Sequence, residues 1–270
     1  MAQGTAATIC SYGDLVGQNF DIVVNATSAS LRAELPPVPA SVLAQARLAY
    51  ELAYGKGLTP FLRLAQNAGV AQLADGVGLL AEQLFPGHGQ ALSVLWRDKQ
   101  IEYTRLVTTS NHGAHYQPFW SLTRSALVYA IKKIVAGAEG TGATGLFDQK
   151  YGVQVDRLMN QYRHLSAFPE NREVLQALKD RGVRTGILSN GDAGMLNLAV
   201  KSAGLDGLLD HVISVDPVRR FKNHPDAYAL GAQTLGLTPE QVAFVSCNAW
   251  DALGATWFGY QTLWVNRYHL

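Results

Sequence analysis

Short β-branched and aromatic runs alternate with helical spacings in the C-terminal part of this chain. The runs are Thr185–Asn190 (TGILSN), His211–Asp216 (HVISVD), Val242–Asn248 (VAFVSCN) and Thr262–Arg267 (TLWVNR). Between them, Ala193–Ala203, Pro225–Leu235 and Asp251–Gly259 carry apolar residues at helical spacing. Such alternation predicts a parallel sheet with helices on both faces. Most of these strands end in a polar cluster, and open α/β sheets bind ligands beyond the carboxyl ends of their strands.

Upstream the pattern is helical from Leu84 to Ile134. Leu92, Leu95, Trp96, Tyr103 and Leu106 form one apolar stripe, and Phe119, Leu122, Leu127 and Tyr129 another. A glycine-rich stretch, Ala136–Gly145, separates these from a further helix around Val155–Leu165. Helices without strands ahead of a parallel sheet suggest a cap over its active end. Residues 1–83 differ: Phe20–Ser30 (FDIVVNATSAS) reads as a strand and turn, and Leu48–Ala53 as a second strand. Ser41–Ala46 and Pro60–Ala68 are helix-like, and Asp75–Gln83 begins another helix. The stretch from Gly76 to Gln90 (GVGLLAEQLFPGHGQ) joins the two patterns without the Pro/Ser-rich or charged character of a linker.

Composition narrows the function classes. A formal net charge of +1 offers no electrostatic case for nucleic acid or an anionic membrane. The two cysteines, Cys10 and Cys247, make no disulfide framework. No apolar run approaches the ~18 residues that crossing a bilayer takes. With no basic-then-apolar leader at the start, the expected location is cytoplasmic.

Candidate chemistry gathers after the strands. Ser189-Asn190-Gly191 can cradle an anion with a hydroxyl, an amide and backbone N–H groups, though the same residues also build ordinary turns. Lys222 follows the second run, and Ser246-Cys247-Asn248-Ala249-Trp250-Asp251 the third. Asp251 alone could cap the next helix. Arg97 lies on the cap stripe.

Taken together, LWRDKQIEYTRL, LMNQYRHLSAFPEN, GILSNGD, VRRFKNHPDAYALG and FVSCNAWDALGATWFGYQTLWVNR resemble the L-2-haloacid dehalogenase branch of the haloacid dehalogenase superfamily, from about Ala81 onward. The resemblance implies a metal-independent hydrolase with no cofactor, acting on a small 2-haloacid or related carboxylate, in an assembly that can be a homodimer. It implies that Ser189 and Asn190 hold the substrate carboxylate and that Arg97 stabilises the leaving halide. Lys222 would neutralise the nucleophilic carboxylate, with Ser246 beside it. Asn248 and Asp251 would position Lys222 and the hydrolytic water, and Tyr228 and Trp250 would wall the pocket. The nucleophile itself, an aspartate in an Asp-x-Tyr-Gly-Thr motif on a central first strand, is absent. Counting back by the family's spacing reaches Gln66, which is no nucleophile.

FDIVVNATSASL, ELPPVPASVL, AYGKGLTPFLRLAQNAG and AQLADGVGLLAEQ in turn resemble the C-terminal part of shikimate dehydrogenase. That resemblance implies that Asn25, Ala26 and Thr27 match an NADP site, and that Tyr54, Gly76, Leu79 and Gln83 match positions beside cofactor and substrate. The catalytic Lys and Asp and the pyrophosphate loop of that family have no counterpart here. Gly140–Gly145 (GTGATG) fits a dinucleotide fingerprint by spelling alone, because a helical pattern precedes it and no strand run follows before Thr185. His112 and His115 lack further ligands for a metal.

The expected fold is therefore α/β: a doubly wound, dehalogenase-like parallel sheet with a helical cap and without its central first strand. The expected divisions are a shikimate-dehydrogenase-like fragment (1–83), a cap (84–170) and a core (171–270). Asp21–Ala26 is expected to insert into the empty slot of the sheet. Three functions stay open: an impaired dehalogenase, a non-catalytic fusion product that keeps a carboxylate pocket, and an incomplete NADP-dependent oxidoreductase fragment.

Overall fold

A computed structural model describes residues 10–25, 35–51, 60–70, 72–74, 76–137, 147–163 and 167–266. The chain divides into two compact units, Met1–Leu79 and Leu80–Tyr268.

The N-terminal unit is built on strands β1 (Ile22–Asn25), β2 (Leu48–Glu51) and β3 (Gln72–Ala74), with helix α1 (Pro60–Asn67) between the last two. All pairings are parallel in the order β1-β2-β3, Ile22 lying opposite Leu48 and Leu48 opposite Gln72. Helix α1 turns Phe61, Leu62 and Ala65 inward onto Val42, Leu43 and Ala49. Full burial of one such large side chain stabilises by about 1.5–3 kcal/mol. This sheet corrects the expected insertion of Asp21–Ala26: β1 hydrogen-bonds to β2 and belongs to no sheet with the C-terminal strands. The physical reason is local, because short crossovers favour pairing between successive strands. Strand β3 escapes a reading by pattern because three residues are too short to display a period.

The division falls within a helix, α2 (Gly76–Leu84), and helices open the second unit. After α2 the chain turns into α3 (Gly89–Thr109), then α4 (Phe119–Ile131), a π-turn at Lys132–Ala136, and α5 (Phe147–Tyr162). Glu82 sets the start of α3: its carboxylate oxygens accept from the backbone N–H of Gly87 and Gly89, two donors no helical carbonyl can reach. Gly89 cannot be replaced, since a Cβ there would stand 2.5 Å from the backbone nitrogen of Glu82. Helices α3 and α4 pack together through Trp96 and Gln100. The Trp96 indole N–H donates to the Thr123 carbonyl at 2.8 Å, and Gln100 donates to the Thr123 hydroxyl at 2.7 Å.

The sheet region follows as α6 (Pro169–Asp180), β4 (Gly186–Ser189), α7 (Ala193–Ser202), β5 (His211–Ser214), α8 (Pro225–Leu235), β6 (Ala243–Ser246), α9 (Ala249–Phe258) and β7 (Gln261–Trp264). Its strands form two parallel pairs, β4–β5 and β6–β7. Helix α8 serves both: Tyr228 and Ala232 pack with Ala255 and Tyr260, and Leu188 of β4 and Phe244 of β6 join the same cluster. The Tyr228 ring meets Phe244 edge-on at 5.9 Å, and Phe244 stacks on Tyr260 at 5.5 Å.

The outer edges of β4 and β6 follow from ladder geometry. The Thr185 and Ser189 carbonyls accept from His211 and Val215, so these residues face β5. Alternate residues of a strand bond to opposite sides, which turns the backbone groups of Gly186 and Leu188 away. In β6, the Val242 and Ser246 carbonyls accept from Gln261 and Val265, which leaves Ala243 and Val245 facing outward. Among the described residues no strand pairs with either edge. Among them, too, no helix is long and apolar enough to cross a membrane.

Candidate active site

Strands β4, β5 and β6 all end in a serine whose Oγ accepts from the N–H two residues on: Gly191 to Ser189 at 3.1 Å, Asp216 to Ser214 at 3.2 Å, Asn248 to Ser246 at 3.2 Å. The hydroxyl thereby closes a turn and directs the chain into the next loop. Two of them also donate: Ser214 to the Gly191 carbonyl at 2.7 Å, and Ser246 to Asp251 Oδ2 at 2.9 Å.

Asp251, in the first turn of α9, is the hub. Its Oδ2 also accepts from Lys222 Nζ at 3.0 Å, and its Oδ1 accepts from the Tyr228 hydroxyl at 2.9 Å. Asp251 is 5% exposed and Lys222 8%. Two charges so far from water are tolerated only when paired and hydrogen-bonded, as here. Lys222 comes from the loop between β5 and α8, and its backbone N–H donates to Asn190 Oδ1 at 2.9 Å, which ties that loop to the end of β4. Burial pulls the Lys222 amine below its ordinary value of 10.5, against the opposing pull of Asp251. Burial, with Asp251 beside it, pushes the Tyr228 phenol far up, so it stays a donor.

Helix α3 closes the site from the other side. Arg97, Gln100, Ile101 and Thr104 fall at i, i+3, i+4 and i+7, on one face. Arg97 Nη2 donates to Asn248 Oδ1 at 2.8 Å. One turn beyond Thr104, the Thr108 hydroxyl accepts from the Phe221 N–H at 3.0 Å. Arg105 lays its guanidinium over the Trp250 ring at 5.4 Å. Arg97, Gln100, Ile101 and Thr104, with Phe119, Leu188, Ser189, Asn190, Lys222, Asn248, Trp250 and Asp251, line a cavity of about 170 Å³.

The structure thus brings together Arg97, Ser189, Asn190, Lys222, Asn248, Trp250 and Asp251 around one cavity, with Ser246 just behind. Tyr228 departs from the expected wall position: it is wholly buried and supports Asp251 from the protein side. Gln100, Ile101, Thr104 and Phe119 were not anticipated, although helical spacing from Arg97 gives the first three. Asn25 is buried at the end of β1 in the N-terminal unit. Gly76 opens α2, and Gln83 is an exposed residue of the same helix. Thr27, Tyr54 and the Gly140–Gly145 stretch lie outside the described residues.

A parallel α/β core whose strand ends converge on a buried lysine–aspartate pair under a helical cover defines a small-molecule site of the α/β type. Residues 130–259 match the family of haloacid dehalogenase-like hydrolases. Haloacetate dehalogenase H-2 of Moraxella sp. (strain B) is 40% identical over 187 residues, 69% of this chain and 77% of that protein. (S)-2-haloacid dehalogenase 4A of Burkholderia cepacia is 38% identical, over 74% of this chain and 77% of its own length. The crystal structure of an L-2-haloacid dehalogenase superposes with a TM-score of 0.65 at 50% identity, covering 72% of this chain and 81% of that one. The chain belongs to the haloacid dehalogenase-like hydrolases.

Proposed function

We propose that this chain descends from (S)-2-haloacid dehalogenases, that its cavity still takes a small 2-haloacid, and that turnover is severely impaired. The observation that carries this reading is the state of Asp251. It is the carboxylate lining the cavity, and both its oxygens are engaged by Lys222, Ser246 and Tyr228. A carboxylate stabilised by three donors is a weak nucleophile, because every hydrogen bond must be loosened as its charge is donated.

In the reaction proposed for a complete site, a carboxylate attacks C2 of the haloacid with inversion and expels halide. Water then hydrolyses the ester to a 2-hydroxy acid. Of the apparatus for this, the chain offers Arg97 to stabilise the departing halide and Ser189 and Asn190 to hold the substrate carboxylate. Asn248, with Asp251 and Lys222, would position water. Removing a covalent nucleophile commonly costs several orders of magnitude in rate. The roles of these residues, the division at 83/84 and the likeness of the first 83 residues to shikimate dehydrogenase belong to this same reading, as does a cytoplasmic location.

Halide release from (S)-2-chloropropionate, followed with a halide electrode, tests turnover, and calorimetry with the same compound tests binding. Saturable binding with halide release at or near the uncatalysed rate is the expected result. Brisk halide release would overturn the assignment of Asp251 as a committed carboxylate. Failure to bind would overturn the pocket reading itself.

A further inference from the structure

We propose that Lys222 is a reactive centre in its own right, whose amine captures small 2-oxo acids such as pyruvate as a reversible imine. Lys222 lines the cavity while remaining 8% exposed, with Nζ 4.9 Å from the Phe244 ring centroid and 6.0 Å from that of Tyr228. Burial disfavours the ammonium while Asp251 and the ring faces favour it, so the amine sits buried with a carboxylate at 3.0 Å to take its proton, a setting in which lysines become carbonyl nucleophiles. Arg97, Ser189 and Asn190, donors suited to the carboxylate of an oxo acid, line the same cavity. A small acid held there presents C2 toward the amine, and proximity supplies much of the driving force for addition.

The chemistry balances without an added reagent. Asp251, 3.0 Å from Nζ, accepts a proton from the ammonium. The freed lone pair then forms a C–N bond at C2, the carbonyl π pair becomes an oxyanion, and a proton passes from the new ammonium nitrogen to that oxygen to give the carbinolamine. Loss of water removes the original carbonyl oxygen with two hydrogens from the amine and leaves C=N. Asp251 returns its proton to the departing hydroxyl. Hydrolysis reverses every step. The inference rests on the carboxylate cradle of the proposed function but not on any halide chemistry.

The test is borohydride reduction of the intact protein in the presence of pyruvate, followed by whole-protein mass measurement and peptide mapping. One reduced adduct per chain, on Lys222, is expected, with L-lactate suppressing it by competition. Lys222→Arg should abolish the adduct. Because the larger guanidinium can disturb the packing of a buried site, Ser189→Ala, which leaves Lys222 and Asp251 in place, should lower labelling several-fold at fixed pyruvate. No adduct on Lys222, or labelling spread over exposed lysines, would overturn the proposal. Lactate binding by calorimetry separates the two ideas: lactate bound without an adduct refutes the imine but keeps the cradle, whereas an adduct insensitive to lactate keeps the imine and refutes the cradle.

Discussion

Ser189 and Ser246 end equivalent strands in the same kind of turn, yet they serve different purposes. Each oxygen accepts an N–H two residues on, at 3.1 and 3.2 Å. Ser189 lines the open cavity, whereas Ser246 is 8% exposed and spends its proton on a buried carboxylate. One strand pair therefore ends in a receptive surface, and the other in a closed electrostatic unit of Ser246, Asp251, Lys222 and Tyr228. The lesson is that a turn residue becomes chemical machinery through what its second hydrogen bond reaches, and that depends on burial rather than on residue type.

The sharpest break of this comparison is Asp251→Ala. It leaves the Lys222 ammonium buried without its partner, at an expected cost of about 3–5 kcal/mol in urea unfolding. Replacing both charges by apolar residues (Lys222→Met with Asp251→Leu) should recover most of that loss, since the pair as a whole is close to neutral in stability. A double variant no better than the single one would show that the unit contributes more than charge compensation. Next in size, Ser246→Ala strands part of the Asp251 carboxylate, and a loss of about 1–3 kcal/mol is expected. Ser189→Ala should cost less than about 0.5 kcal/mol, while weakening calorimetric binding of small carboxylates. Equal losses at the two serines would erase the distinction.

The smallest test is the pH dependence of the urea midpoint. The fold holds Lys222 below 10.5, so across the window between its folded value and 10.5 the unfolded chain binds more protons. Stability should climb with pH there. Above about pH 10 the order reverses. Tyr116 and Tyr228 are held above their ordinary value of 10.0, so the unfolded chain sheds their protons first and stability falls. Lys222→Met should flatten the climb and leave the alkaline fall intact.

Much of this was legible in the residues. The strand–helix alternation located β4 to β7, and polar clusters at strand ends located Ser189, Asn190, Lys222, Asn248 and Asp251. The absence of the expected Asp motif was also legible, because a motif is a local spelling. Partner choice was not: Ile22–Asn25 reads as a strand whichever sheet it joins, and the nearer β2 claimed it. The side from which an aromatic approaches was equally hidden. Tyr228 and Trp250 are both large and amphipathic, yet one lies behind Asp251 and the other fronts the cavity.

The outward backbone groups of Gly186, Leu188, Ala243 and Val245 carry a colloidal consequence. Val245 is 60% exposed, and Leu263 and Trp264 on the neighbouring strand are 61% and 43% exposed. Neither β4 nor β6 carries the lysine, proline or bulge with which edge strands ordinarily repel intruders. An edge that is apolar and unguarded templates the addition of any extended chain, including a nascent copy of itself. Strand-to-strand association that grows with concentration is the expected outcome, and light scattering across a dilution series checks it.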